Sequence, residues 1–297
     1  MNKLLKQAFT LIELLVVIAI IGILSGLIVV SIGGMTQKAT IAKSQVFSSS
    51  LRNALMLNLL AEYKFDGETI NANDSWSTNN GTVTGTTKIN SGCISGSCLS
   101  FDGDDDWVSL GSQFFFDSTQ PWSFEHWLKW DMTNRSDIII FYAGSGSTNQ
   151  NFLIRHDSNN RFGFRSDDST YHRFPVNSSD LCLDRWTHLV WLADGNGNLF
   201  LYINGSLLGN LGSPVAINTS VELYSVGRGY SSRSYTTYPG NTYYYKGLID
   251  EVRIYNSAIT LSQIKEQYYS GLRKLLANEG ITMEEYQDRM SELATNF

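Results

Sequence analysis

From Phe9 to Val30 the chain carries a single charge, Glu13, in an otherwise apolar run. At 1.5 Å per residue that run is about 33 Å long as a helix, close to the hydrocarbon thickness of a bilayer. A secretory signal has a shorter apolar stretch followed by a small-residue cleavage site, and neither is present here. Lys3 and Lys6 precede the run. Kept on the cytoplasmic side, they place everything after the helix outside the cytoplasm. Glu13 is expensive inside a membrane, about 2.5–3.5 kcal/mol at mid-bilayer on insertion scales. It therefore needs a partner, or a shallow position from which it reaches the interface.

The helical pattern extends beyond the membrane run. Phe47, Leu51, Ala54, Leu55 and Leu59 recur on one helical face, so a helix is expected over residues 9–60, its second half amphipathic. Gly22, Gly26 and the pair Gly33-Gly34 either loosen that helix or let neighbouring helices pack closely.

The segment Phe9-Thr10-Leu11-Ile12-Glu13-Leu14-Leu15-Val16-Val17 resembles the N-terminal methylation motif of type IV pilins and pseudopilins. The resemblance implies that residues 1–8 are a leader removed by a prepilin peptidase. The cut falls between Ala8 and Phe9, with Ala8 standing where the family has Gly. The new Phe9 amine is then methylated, and Glu13 pairs with the Phe9 amine of a neighbouring subunit. It also implies insertion in the inner membrane, followed by assembly into a cell-surface pilus or a periplasmic pseudopilus.

From about Ala61 the pattern changes to short alternating runs separated by Gly, Asn and Asp. Leu199-Phe200-Leu201-Tyr202-Ile203 followed by Asn204-Gly205 is a hairpin signal. Aromatic residues make up 12% of the chain, against 4 prolines. Many short strands with frequent turns argue for a sandwich or jelly roll. A net charge of −6 without a basic block gives no attraction to nucleic acid.

Four segments, in order, resemble laminin-G-like, concanavalin-A-type domains: Ala61–Gly67, Leu99–Val108, Arg185–Val190 with Leu199–Leu207, and Gly247–Tyr255. The expected fold class is mainly β: a long N-terminal helix, a two-sheet jelly roll over 61–260, and short helices over 261–297. The helices are marked by capping boxes at Thr260–Gln263 and Thr282–Glu285.

Glucanases on this fold use a Glu-x-Asp-x-x-Glu strand, and no Glu-x-Asp occurs here. His126, His156, His172 and His188 lack metal-ligand spacing, so no enzyme is expected. Asp102, Asp104 and Asp106 alternate like the start of a Ca²⁺ loop, but Trp107 and Gln113 stand where Gly and Glu are required. They form either a solvated turn or part of a Ca²⁺ site. The laminin-G resemblance adds Asp66 and Asp250 as Ca²⁺ ligands. Cys93 and Cys98 either close a small disulfide loop, which an oxidising compartment favours, or remain thiols. Cys182 reads as a buried small residue.

Tyr230, Tyr235, Tyr238, Tyr243, Tyr244 and Tyr245, set among Ser, Thr, Gly and Asn, suit a carbohydrate or cell-surface recognition loop. Alternatively, Tyr243 and Tyr245 are one face of a strand. The expected function is a pilin-like filament subunit displaying the domain for adhesion or glycan binding. The alternatives are a pseudopilin of a secretion or DNA-uptake machine and a membrane-anchored lectin that does not polymerise.

Overall fold

The computed structural model describes residues 11–22, 46, 49–111, 114, 120–131, 138–144, 151–157, 161–165, 171–175, 184–211, 223–230 and 242–295. For 138–139, 144, 151–157, 161–165, 171–175, 211, 223, 230, 242 and 294–295 it describes backbone alone. The chain divides into two compact units, Met1–Asn53 and Ala54–Phe297. In the first, residues 11–22 are helical with every side chain exposed. Among the described residues no helix is long and apolar enough to cross a membrane; Ala8, Phe9 and the run beyond Gly22 lie outside them.

The second unit begins with the end of a helix over 49–56, four residues short of the expected limit at 60. Leu55 is buried against Val190, Tyr255 and Ile264. The chain then turns at Leu57-Asn58 and enters a strand, because residues from Leu59 pair antiparallel with the segment from Val252 to Tyr255. Tertiary pairing overrides the helical periodicity here.

The strands in chain order are β1 Leu59–Tyr63, β2 Thr82–Thr84, β3 Thr87–Ile89, β4 Cys98–Asp102, β5 Trp107–Gly111, β6 Pro121–Trp130, β7 Ile138–Gly144 and β8 Asn151–Asp157. They continue as β9 Arg161–Arg165, β10 Tyr171–Pro175, β11 Trp186–Asp194, β12 Leu199–Ile203, β13 Ser206–Leu211, β14 Leu223–Val226, β15 Arg228–Tyr230, β16 Thr242–Tyr244 and β17 Lys246–Tyr255. An eight-stranded sheet runs β13-β12-β11-β6-β17-β4-β3, with β1 added beside β17. A seven-stranded sheet runs β10-β9-β8-β7-β14-β5-β2, and β15-β16 form a separate ribbon. Every described pairing between strands is antiparallel. This is the jelly roll expected.

The strand period of two sorts side chains between two cores. On β6, Trp122, Phe124, Leu128 and Trp130 join Val108, Phe141 and Tyr224 of the opposite sheet in the main core. Trp127, on the other face, joins Trp186 beneath the C-terminal helices. Burial on both faces explains why β11 carries an unbroken apolar run, Leu189–Ala193, rather than a clean alternation.

The two closing helices, Leu261–Ala277 and Met283–Thr295, cover the outer face of the eight-stranded sheet. Thr260 and Gln263 form a reciprocal capping box that starts the first. Its Ile264, Tyr268, Leu272 and Leu275 are buried at helical spacing. Gly271 lies against Trp127 so closely that an added Cβ would come within 2.2 Å of the ring. The Thr282 hydroxyl accepts the Glu285 N–H (3.1 Å) at the start of the second helix.

Candidate functional site

The motif Asp250-Glu251-Val252-Arg253-Ile254-Tyr255 lies on β17, where the register against β6 slips between Asp250 and Arg253. The slip, with Glu251 at φ 51°, lets successive acidic side chains serve different partners. Arg253 donates through Nε to Glu62 (2.8 Å), through Nη1 to Glu125 (3.0 Å) and through Nη2 to Glu251. Glu125 also accepts from the Tyr255 hydroxyl (3.0 Å) and lies 3.1 Å from His188 Nε2. Lys274, from the first closing helix, donates to Glu251 (2.8 Å).

Burial pushes the Glu125 carboxyl up, but Arg253, His188 and Tyr255 outweigh it and hold it below the usual range. Glu62 behaves alike: burial raises it, and Arg253 with Ser75 and Lys64 brings it down to about 2. Glu125 and His188 are 0% exposed. A substrate cannot reach them, so the cluster fastens β1, β6, β11, β17 and the closing helix together and is not a catalytic centre. His126 sits on the opposite face of β6 against Phe124, where burial first and then His188 lower its imidazole to about 3.

Asp66 and Asp250 both hold the loop closed by the Cys93–Cys98 disulfide (Cα–Cα 5.6 Å). Asp250 Oδ2 accepts the N–H groups of Ile94 (2.9 Å) and Ser95 (3.2 Å), and Oδ1 accepts that of Glu251 (2.7 Å). Asp66 Oδ1 accepts the Ser97 N–H (2.8 Å). Burial pushes the Asp250 carboxyl well up against these bonds, and the Asp66 charge adds to the rise. Calcium takes six to eight oxygen ligands, whereas four amide N–H groups surround this pair. The residues present do not fit the ion, and we read them as the anchors of the loop. Thermal melts in millimolar Ca²⁺ and in EDTA are expected to coincide; a Ca²⁺-dependent rise of several degrees would restore the cation site.

The carboxylates of Asp102, Asp105 and Asp106 lie within 4.8 Å of one another. Asp106 accepts the Asp102 N–H (2.7 Å) and Asp102 accepts the Asp104 N–H (2.8 Å), the bonding of a tight turn. Beside it, the Arg228 guanidinium lies 3.4 Å over the Trp107 ring. Lys246 pairs with Asp131 (3.2 Å).

The tyrosines expected to form one recognition surface divide. Tyr245 is fully buried, edge-on to Phe101, with its hydroxyl donating to the carbonyls of Lys129 (3.0 Å) and Leu248 (3.2 Å). It is a core residue, lying at the break between β16 and β17 with its N–H donating to the Gly227 carbonyl (2.8 Å), and it cannot meet a ligand. Tyr243 and Tyr244 are half-buried on β16. Tyr230 is on β15, and Tyr235 and Tyr238 lie outside the described residues. What remains at this end of the sandwich is a rim: the acidic turn, Trp107 with Arg228, and Tyr243 with Tyr244.

Residues 102–265 match the model of the concanavalin A-like lectin/glucanases superfamily. The chain belongs to this superfamily. Its concanavalin A-like domain is preceded, at residues 4–34, by a match to the prokaryotic N-terminal methylation motif. No curated protein sequence matches the chain.

Among solved structures, domain 4 of AbnA, a GH43 extracellular arabinanase from Geobacillus stearothermophilus in complex with arabinotriose, is 22% identical. The match covers 70% of this chain and 97% of that one, with TM-score 0.53. The binding domain of Paraclostridial Mosquitocidal Protein 1 is 13% identical over 73% of this chain and 53% of its own, with TM-score 0.56. Trypanosoma rangeli sialidase in complex with the inhibitor DANA is 12% identical over 71% and 32%, with TM-score 0.52. The chain thus spans about half of the toxin domain and a third of the sialidase. These likenesses establish the fold that the superfamily member adopts.

Proposed function

We propose that this chain is a type IV pilin-like filament subunit that displays a concanavalin A-like domain for adhesion through glycans. The observation that carries the reading is the presence of both parts on one chain, the methylation motif at 4–34 and the lectin-type domain at 102–265. A prepilin peptidase cuts between Ala8 and Phe9. Glu13 of each subunit then offsets its cost in an apolar environment by pairing with the Phe9 amine of a neighbour. The β domain supplies the binding surface and performs no chemistry, since its buried carboxylates are tied to Arg253, Lys274 and the loop backbone.

Electron microscopy of purified surface filaments, with mass spectrometry of the subunit, tests this. The expected subunit begins at an N-methylated Phe9, and Glu13→Val is expected to abolish filaments while the chain stays in the membrane. Filaments that persist in the Glu13→Val strain, or a subunit that still begins at Met1, would overturn the assembly reading.

A further inference from the structure

A second surface lies remote in sequence from the tyrosines. Between β1 and β2 the chain forms a loop closed at its base by the Ala72–Gly81 bridge, with the Gly81 N–H donating to the Ala72 carbonyl (2.8 Å). Ala72 is inserted in the main core. Inside the loop, Asp74 accepts the N–H groups of Glu62 (3.0 Å), Trp76 (2.9 Å) and Asn79 (3.2 Å). Asn79 in turn donates to the Leu60 carbonyl (3.0 Å) and accepts from the Tyr63 hydroxyl (2.6 Å). Ser75 is held to Glu62 by its N–H (2.8 Å) and its hydroxyl (2.7 Å to Oε2).

At the outer end of this pinned loop stands Trp76, 44% exposed. Its indole stacks on no other ring among the described residues. Asn73, Ser77 and Thr78 around it are exposed, and their side chains make no hydrogen bond among the described residues. A domain that buries four other tryptophans to 2% exposure or less, Trp122, Trp127, Trp186 and Trp191, leaves this one in water on a loop too well bonded to fold over it.

An exposed aromatic face on a fixed backbone, ringed by unused amide and hydroxyl groups, is preorganised for a ligand with one apolar face and several hydroxyls. We propose that the Trp76 loop is a glycan-contact site, in which the indole stacks on the C–H face of a sugar ring and Asn73, Ser77 and Thr78 take its hydroxyls. The segment 67–81 contains no Lys or Arg, and its charged residues are Glu68 and Asp74. The bordering cations are already engaged, Lys64 with Glu62 (3.1 Å) and Lys88 with the Gly67 carbonyl, so the sugar this loop suits is neutral, not sialylated or a uronic acid. The proposal rests on the glycan-binding reading above and assigns its contact residue.

The test uses the full chain in detergent on an array of neutral and sialylated glycans, with Trp76→Ala, Trp76→Phe and Trp107→Ala alongside. Neutral glycans are expected to be retained by the wild-type chain and bound about tenfold or more weakly by Trp76→Ala. Trp76→Phe, which keeps a stacking face, and Trp107→Ala, at the opposite rim, are expected to stay within about threefold of wild type. Wild-type binding that survives Trp76→Ala would overturn this assignment while leaving the glycan reading intact, the more so if Trp107→Ala abolished it. A wild-type chain that binds no glycan would overturn both. If Trp76→Ala lowered filament yield and left glycan binding unchanged, the loop would be a subunit contact instead.

Discussion

Arg253→Met is expected to destabilise the β domain by about 3–5 kcal/mol at pH 7, the cost of leaving buried charges without their partner. Arg253 is the guanidinium shared by Glu62, Glu125 and Glu251, and Glu125 has no exposure to water that could replace it. Pairing the change with Glu125→Leu is expected to recover part of the loss, because a matched apolar pair carries no uncompensated charge.

The pH dependence should change sign between the two proteins. In the wild type the folded Glu62 carboxyl titrates at about 2, below its ordinary 4.5. Its contribution is present above pH 4.5 and is lost as pH falls toward 2. Without Arg253, burial is left to raise the folded carboxyls, so the variant should gain stability on going from pH 7 to pH 4.5. Urea midpoints at pH 7, pH 4.5 and about pH 2.5 for both proteins measure this. A variant within about 1 kcal/mol of wild type at pH 7 would show that the cluster fastens nothing.

Ending the chain at residue 260 is expected to prevent the domain from folding at all. The two closing helices and their connection bury Ile264, Leu272, Leu275, Ile281 and Leu293. Each contributes about 1.5–3 kcal/mol, and together they rival the whole net stability of an ordinary domain, about 5–15 kcal/mol. Their removal also bares Trp127, Trp186 and the Cys93–Cys98 loop, whose Ile94 carbonyl accepts from Asn278 (3.2 Å). Soluble yield and near-ultraviolet circular dichroism read the outcome; a truncated chain with a native spectrum would mean that the helices are an ornament on a complete sandwich. Gly271→Leu is the local form of the same experiment. It forces a side chain into Trp127 and should cost about 1–3 kcal/mol.

These two expectations concern residues whose types were visible in the chain but whose partners were not. Arg253 and Glu251 stood in a recognisable strand, Glu125 in an aromatic-rich one and Lys274 in a helix, separated by up to 191 positions from one another's partners. No spacing rule links them. The helix starts at Thr260 and Thr282 were readable because a capping box is local chemistry, completed within four residues. The sheet that those helices cover was not readable, and so their role could not be inferred. Tyr243 and Tyr245 are two residues apart in a segment of uniform recognition-loop composition. Only the break between β16 and β17, where the Tyr245 N–H meets the Gly227 carbonyl, sends one to the core and leaves the other half-exposed. Trp76 carried a weak signal, a lone indole in a run of Asn, Ser and Thr.

The apolar run from Phe9 with its single Glu13 determines how this chain meets a membrane, because membrane insertion depends on length, hydrophobicity and flanking charge, all of which are properties of contiguous residues. The ordered strand segments likewise determine the two-sheet class. What the tertiary structure alone decided is which acidic groups are fasteners. Asp66 and Asp250, which the laminin-G resemblance alone put forward for calcium, are turned onto the N–H groups of a loop, and Glu125 is sealed beneath a helix. The same structure decided which aromatic groups remain in water. Burial and hydrogen-bond partnership depend on chain segments far apart in sequence, and only the folded chain brings them together.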